Sequence, residues 1–264
     1  FKLICMAQLE EEKKEEENEN VDWISKVFTS RLNTTLTSIG KHAMNLLVQN
    51  SNNNIYWNFD VSKKAAAKYV AFTVDDSPGW SLKGTLELLD FLKELDIQIT
   101  FFIISSMVRD PITKEVNPEA AKILRRMLED GHELGNHAVA DEVLWNMQQS
   151  EYEQRIKECE DTLCLFDKSF AEKQVKWYRP PSGTMSKLHY DVLTRFGYKI
   201  AMANKYARDT RNCTASNYLF EFYTRDVEAG DILVIHTPDE KKGDRYELLK
   251  AIKRIIAKLH QDGV

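Results

Sequence analysis

The chain has 264 residues, of which 43% are hydrophobic and 29% charged, and a formal net charge of −5; that is enough to bury the core of one barrel-sized α/β domain with an extension. No run of apolar residues approaches the length of a membrane span, and the negative balance argues against a nucleic-acid footprint, which needs clustered Lys and Arg. The four cysteines, Cys5, Cys159, Cys164 and Cys213, lack the spacing of a zinc finger.

From the start of the chain, residues 1–9 read as the remnant of a signal's apolar region, and residues 10–20 are nearly all Glu, Lys and Asn, a composition that cannot bury a core. Trp23, Ile24, Val27, Phe28 and Leu32 then recur at helical spacing, as do Leu36, Ile39, Met44, Leu46 and Leu47. Residues 1–60 are therefore expected to form an acidic, helical extension, closed by the Asn/Ser-rich stretch 49–54. The main domain is expected over residues 65–264.

Within that domain short β-branched and aromatic runs alternate with amphipathic segments, the pattern of βα units around a mostly parallel sheet. Strands are expected over 69–74, 98–104, 132–136, 176–179, 198–203 and 232–236. Asn117-Pro118 should cap a helix that stops at Gly131; Ser150 with Glu153 should form a capping box; Ser186 should open a helix that Gly197 closes. Cys159 and Cys164, five apart on a helix, should face different sides. A last helix should span 244–261, with a final strand lying beyond Val264. Two sequons, Asn33-Thr34-Thr35 and Asn212-Cys213-Thr214, would carry sugar only on a secretory route.

The polar residues of interest fall just after the strands: Asp75 and Asp76, His137, Arg179 and Ser182, Asp209, and His236. In barrels of βα units such positions share the C-terminal mouth, where active sites gather. Asp75 and Asp76 leave the strand at a turn fixed by Pro78, and adjacent residues point apart, so one carboxylate can face a metal and the other its water. His137 and Asp141 stand at i, i+4 and would share a face if the chain turns helical there; imidazole with carboxylate is a common divalent-metal pair. His132 is expected to be a buried structural residue.

Asp75-Asp76-Ser77-Pro78 resembles the T-F-D-D-G-P motif of the polysaccharide deacetylase family, which carries the NodB homology domain and is also called carbohydrate esterase family 4. Residues 132–137 resemble its H-E-x-G-N-H segment, Arg179-Pro180-Pro181-Ser182-Gly183 its R-x-P-x-G, and residues 232–236 its closing L-x-L-x-H. The resemblance implies a distorted (β/α)7 barrel and a hydrolase that removes acetyl groups from N-acetylglucosamine residues of a glycan such as chitin or a chitooligosaccharide, at a secreted or cell-wall location. It implies Asp75 as general base, Arg179 orienting it and His236 as general acid. It further implies Ser182, beside Pro181, donating a backbone N–H to the oxyanion. The ligands of one divalent ion, Zn, Co or Mn, would be Asp76, His137 and Asp141, the last standing where the family has a second His. The D-x-x-D-W segment becomes Asp209-Thr210-Arg211-Asn212-Cys213, with Asn212 where the family's second Asp would tune the acid His. The alternative implied by these departures is an impaired, glycan-binding member of the same fold.

Overall fold

The structure is a computed structural model that describes residues 54–59, 69–144, 146–212, 214–239 and 245–264. The helices expected before residue 50, and Cys5 and Cys213, lie outside the described residues. Strand and helix alternate as β1 Ile55–Tyr56, β2 Ala71–Ser77, α1 Lys83–Glu94, β3 Thr100–Ile103, α2 Pro118–Glu129, β4 Glu133–Asn136, α3 Gln149–Cys164, β5 Lys176–Tyr178, α4 Lys187–Arg195, β6 Tyr198–Ala201, β7 Lys205–Tyr206, α5 Ser216–Thr224, β8 Ile232–His236 and α6 Arg245–Gln261. The strands form one parallel sheet in the order β1-β6-β5-β4-β3-β2-β8-β7. No ladder joins β1 to β7 among the described residues, and an isolated bridge between Asn58 and Asp231 draws that side together. The fold is a distorted (β/α) barrel.

Each element follows from its local sequence. Phe101, Phe102 and Ile103 in β3 and Leu233 to Ile235 in β8 are continuous apolar runs, as strands covered on both faces require. Asn117 accepts from the N–H groups of Glu119 and Ala120, and Pro118 occupies the first turn, so α2 begins where its cap dictates. Ser186 likewise caps α4 through the His189 N–H, and Gly197 follows its end at φ 75°. In α6, Leu248, Leu249, Ile252, Ile255, Ile256 and Leu259 recur on one buried face; each contributes about 1.5–3 kcal/mol on leaving water.

Two expectations of the sequence change here. The helix after residue 148 starts at Gln149 behind Gln148, which makes no side-chain cap bond, so Ser150 and Glu153 form no capping box. Residues 137–144 contain no helix: Ala138 leaves β4 with φ 61°, and the i, i+4 face proposed for His137 and Asp141 does not exist. Cys159 is buried and Cys164 half-buried, and both are free thiols, as their spacing on α3 implies.

Candidate active site

A cavity of about 380 Å³ opens at the C-terminal ends of β2, β4, β5 and β8, lined among others by Asp75, Asp76, His137, Arg179, Ser182 and His236. Regular alternation would turn two consecutive aspartates to opposite faces of the sheet. Two local irregularities prevent this: the register of β2 against β3 shifts between Val74 and Ser77, and Asp76 lies at φ 58°. Both carboxylates therefore reach the same cavity, and both residues are buried, at 5% and 2% exposure.

Arg179 fixes Asp75. Its Nη1 donates to Asp75 Oδ1 at 2.7 Å and to Thr73 Oγ1 at 2.8 Å, Nε donates to Ala201 O at 2.8 Å, and Nη2 to Met202 O at 3.1 Å. The guanidinium lies 4.1 Å from the centre of the Phe102 ring. Burial pulls its pKa below the usual guanidinium value, and the Asp75 carboxylate opposes that pull. Gly135 makes room for Phe102: a Cβ there would meet its Cε1 at 2.6 Å.

His137 Nδ1 stands 2.8 Å from Arg179 O. A carbonyl can only accept, so Nδ1 carries the hydrogen, and a neutral ring then turns the Nε2 lone pair toward Asp76 Oδ1, 3.9 Å away. A carboxylate oxygen and an imidazole nitrogen facing each other can both coordinate a cation set between them. Two metal–ligand bonds of about 2.0–2.2 Å can span that separation, so the pair fits a divalent ion. Asp141 lines the same cavity but is exposed at its mouth. Among the described residues no group of three His, Cys, Asp or Glu is gathered closely enough to hold a metal.

His236 is the last residue of β8 and the cross-strand partner of Asp75. Its backbone N–H donates to Asp209 Oδ2 at 2.7 Å, and its Nδ1 lies 3.0 Å from Asp209 Oδ1. Burial alone would lower the imidazole pKa, but the fully buried Asp209 carboxylate outweighs it, with Asp76 and Asp75 adding, and the pKa is raised to about 9. Asn212, which the motif places in the tuning position, instead donates to Ala207 O and Arg208 O and serves the turn. Asp209, which the sequence places at the mouth without assigning it a role toward the acid, is thus the carboxylate that holds His236.

A group whose folded pKa is raised keeps its proton, and its stabilising effect, below the ordinary value of 6.5 and loses both as pH rises through about 9. If His236 acts as an acid, the alkaline limb of the kcat profile should lie near pH 9. Asp209→Asn should move it to lower pH, since burial would then be opposed only by the weaker pull of Asp76 and Asp75. An alkaline limb that stays in place in this variant would remove Asp209 from that role.

The remaining expected residues fall unevenly. Ser182 lines the cavity at an exposed turn with φ 59°. Pro181 is buried and does not line the cavity, whereas Pro180 does. His132 lies away from the site: Nδ1 accepts from Ile99 N–H, the ring packs edge-on against Phe101, and burial lowers its pKa to about 4.

The family model described as polysaccharide deacetylase matches residues 62–201. A peptidoglycan-N-acetylglucosamine deacetylase of Bacillus cereus is 26% identical over 201 residues, covering 74% of this chain and 84% of the relative. A chitooligosaccharide deacetylase of Sinorhizobium fredii is 27% identical over 206 residues, covering 75% and 88%. Among solved structures, the Bc1960 peptidoglycan N-acetylglucosamine deacetylase superposes with a TM-score of 0.66 at 21% identity, covering 80% of this chain and 89% of that one. BA3943 of Bacillus anthracis, described as a CE4 family pseudoenzyme, gives 0.62 at 19%, covering 82% and 67%. At these identities the structural likeness speaks for the fold.

Proposed function

The chain belongs to the polysaccharide deacetylase family, and from that premise we propose that it is a metal-dependent hydrolase taking acetyl groups off N-acetylglucosamine residues of a glycan such as a chitooligosaccharide. The observation that carries this reading is the pairing of Asp75, clamped by Arg179, with His236, held by Asp209, on adjoining strands at one cavity. A protein that only binds sugar has no use for a base, its clamp and an acid set side by side. Adjacent strands lie about 4.8 Å apart, which brings the two groups within reach of opposite ends of one amide.

Asp76 and His137 would hold the divalent ion, with Asp141 completing the set from the rim. Bound there, the ion would supply Lewis acidity toward the acetamide carbonyl and the attacking water. Asp75 takes the proton from that water, and Arg179 keeps the carboxylate aimed. The backbone N–H of Ser182 donates to the oxygen on which negative charge develops. His236 gives its proton to the departing sugar nitrogen, and Asp209 steadies the charged ring before transfer. We assign residues 65–264 to the hydrolase domain and residues 1–60 to an extension, and place the protein at or outside the cell surface, where polymeric glycans are met. Among the described residues no helix is long and apolar enough to cross a membrane.

Glycan binding without hydrolysis is the second reading, and one observation favours it: the exposed Asp141 is not gathered with Asp76 and His137 into a three-ligand group. Acetate release separates the two. With Zn2+, Co2+ or Mn2+ added, chitooligosaccharides should yield acetate and free amine in equal amounts. Binding of acetylated glycans with no acetate from any of them would establish the second reading.

A further inference from the structure

We propose that Arg208 and Arg211 make this cavity selective for an acidic glycan, one in which a carboxylate lies on or beside the sugar next to the N-acetylated residue. The inference rests on the deacetylase reading of the site and adds the class of polymer. Both arginines line the cavity. They flank Asp209 on the loop that follows β7, so the segment that holds His236 also presents two guanidiniums at the mouth.

That loop is built, not loose. Arg211 and Asn212 donate their backbone N–H groups to Arg208 O at 3.0 and 3.1 Å, and the Asn212 side chain donates to Ala207 O and Arg208 O. Arg208 is held at φ 52°, a left-handed conformation that an arginine adopts only where its surroundings impose it. Asp209 is turned inward to full burial, Arg208 is half-buried, and Arg211 is exposed.

The two side chains differ in what they meet from four arginines of the molecule that are paired with carboxylates. Arg126, Arg155, Arg179 and Arg195 each meet a carboxylate. For Arg208 and Arg211 no ion pair or side-chain hydrogen bond occurs among the described residues. The wall of the cavity carries three carboxylates, Asp75, Asp76 and Asp141, against three guanidiniums, Arg179, Arg208 and Arg211. Arg179 is committed to Asp75, so the two at the mouth remain available to a ligand, in a protein whose formal net charge is −5. A neutral sugar polymer gives a guanidinium no charge to pair with. A carboxylate matches its planar fork with two parallel hydrogen bonds, which is why arginine is the usual reader of that group.

The test compares three oligosaccharides of matched length by titration calorimetry on the full chain: neutral chitotetraose, peptide-free strands alternating N-acetylglucosamine with a lactyl-ether sugar, and strands alternating N-acetylglucosamine with a uronate. At least one acidic strand should bind roughly tenfold more tightly than chitotetraose, and which one does so distinguishes the two carboxylate sources. The preference should shrink in high salt and vanish in Arg208→Gln/Arg211→Gln, with thermal melting reporting that the variant is folded. Arg211→Gln alone, at an exposed position, serves if the double variant is not. Equal affinity for all three strands, failure of any to bind, or a preference that survives both substitutions would overturn the proposal. Acetate assays run beside the titrations keep the two readings apart. Preferential binding of an acidic strand with no acetate from any strand would contradict the deacetylase reading and leave this one standing; acetate release with no acidic preference would do the reverse.

Discussion

Asp75→Asn should slow acetate release by about a thousandfold while leaving a folded protein, because a positioned general base contributes roughly 10²–10⁴ in rate and an amide cannot take a proton. The substitution is nearly isosteric, and Arg179 keeps Thr73 Oγ1 and the carbonyls of Ala201 and Met202 as acceptors. The backbone of residue 75 is also held independently of its side chain, since its carbonyl accepts from the Thr237 N–H at 2.9 Å and the Thr237 hydroxyl at 2.8 Å. Steady-state acetate release at saturating glycan is the measurement. A variant within tenfold of the unaltered protein would show that Asp75 is not the base.

The largest effect on stability should come from Arg179→Met. The methionine side chain is apolar and of similar length, but it strips donors from Asp75, Thr73, Ala201 and Met202 together, and it leaves the buried Asp75 carboxylate without its paired guanidinium. Removing one partner of a buried pair costs about 3–5 kcal/mol, far more than the pair contributes against an apolar replacement of both. Denaturant unfolding should report that loss, with activity falling as well because Asp75 is no longer aimed. A loss of under about 1 kcal/mol would mean that Asp75 finds other compensation, and that the clamp is not what holds the site.

Much of this architecture can be read from the chain, because local chemistry decides it. The expected strand over 232–236 coincides with β8, and the other five expected strands differ from the observed ones by at most three residues at an end. The caps at Asn117 and Ser186 function as their residue types require. β1 and β7 escaped notice because two residues carry no period, and only their neighbours in the sheet define them.

The parts of the site that could not be read depend on backbone conformations set by tertiary contacts. Nothing in Asp75-Asp76 announces a register shift, yet that shift brings both carboxylates to one cavity. Spacing alone made His137 and Asp141 neighbours on a helix, and the left-handed turn at Ala138 undoes the premise. Motif position favoured Asn212 as the partner of His236; the turn through Arg208 instead presents Asp209, three residues earlier, to both its backbone and its ring.

The claim on which the catalytic account turns is that a cation sits between Asp76 and His137, beside Asp75. Metal titration of the chelator-treated protein, followed by elemental analysis, addresses it directly. The account predicts a single tight equivalent of Zn2+, Co2+ or Mn2+ in the unaltered protein, weaker binding in Asp141→Ala, and loss of that equivalent in His137→Ala. Equal metal content in the unaltered protein and His137→Ala, whether high or absent, would contradict it.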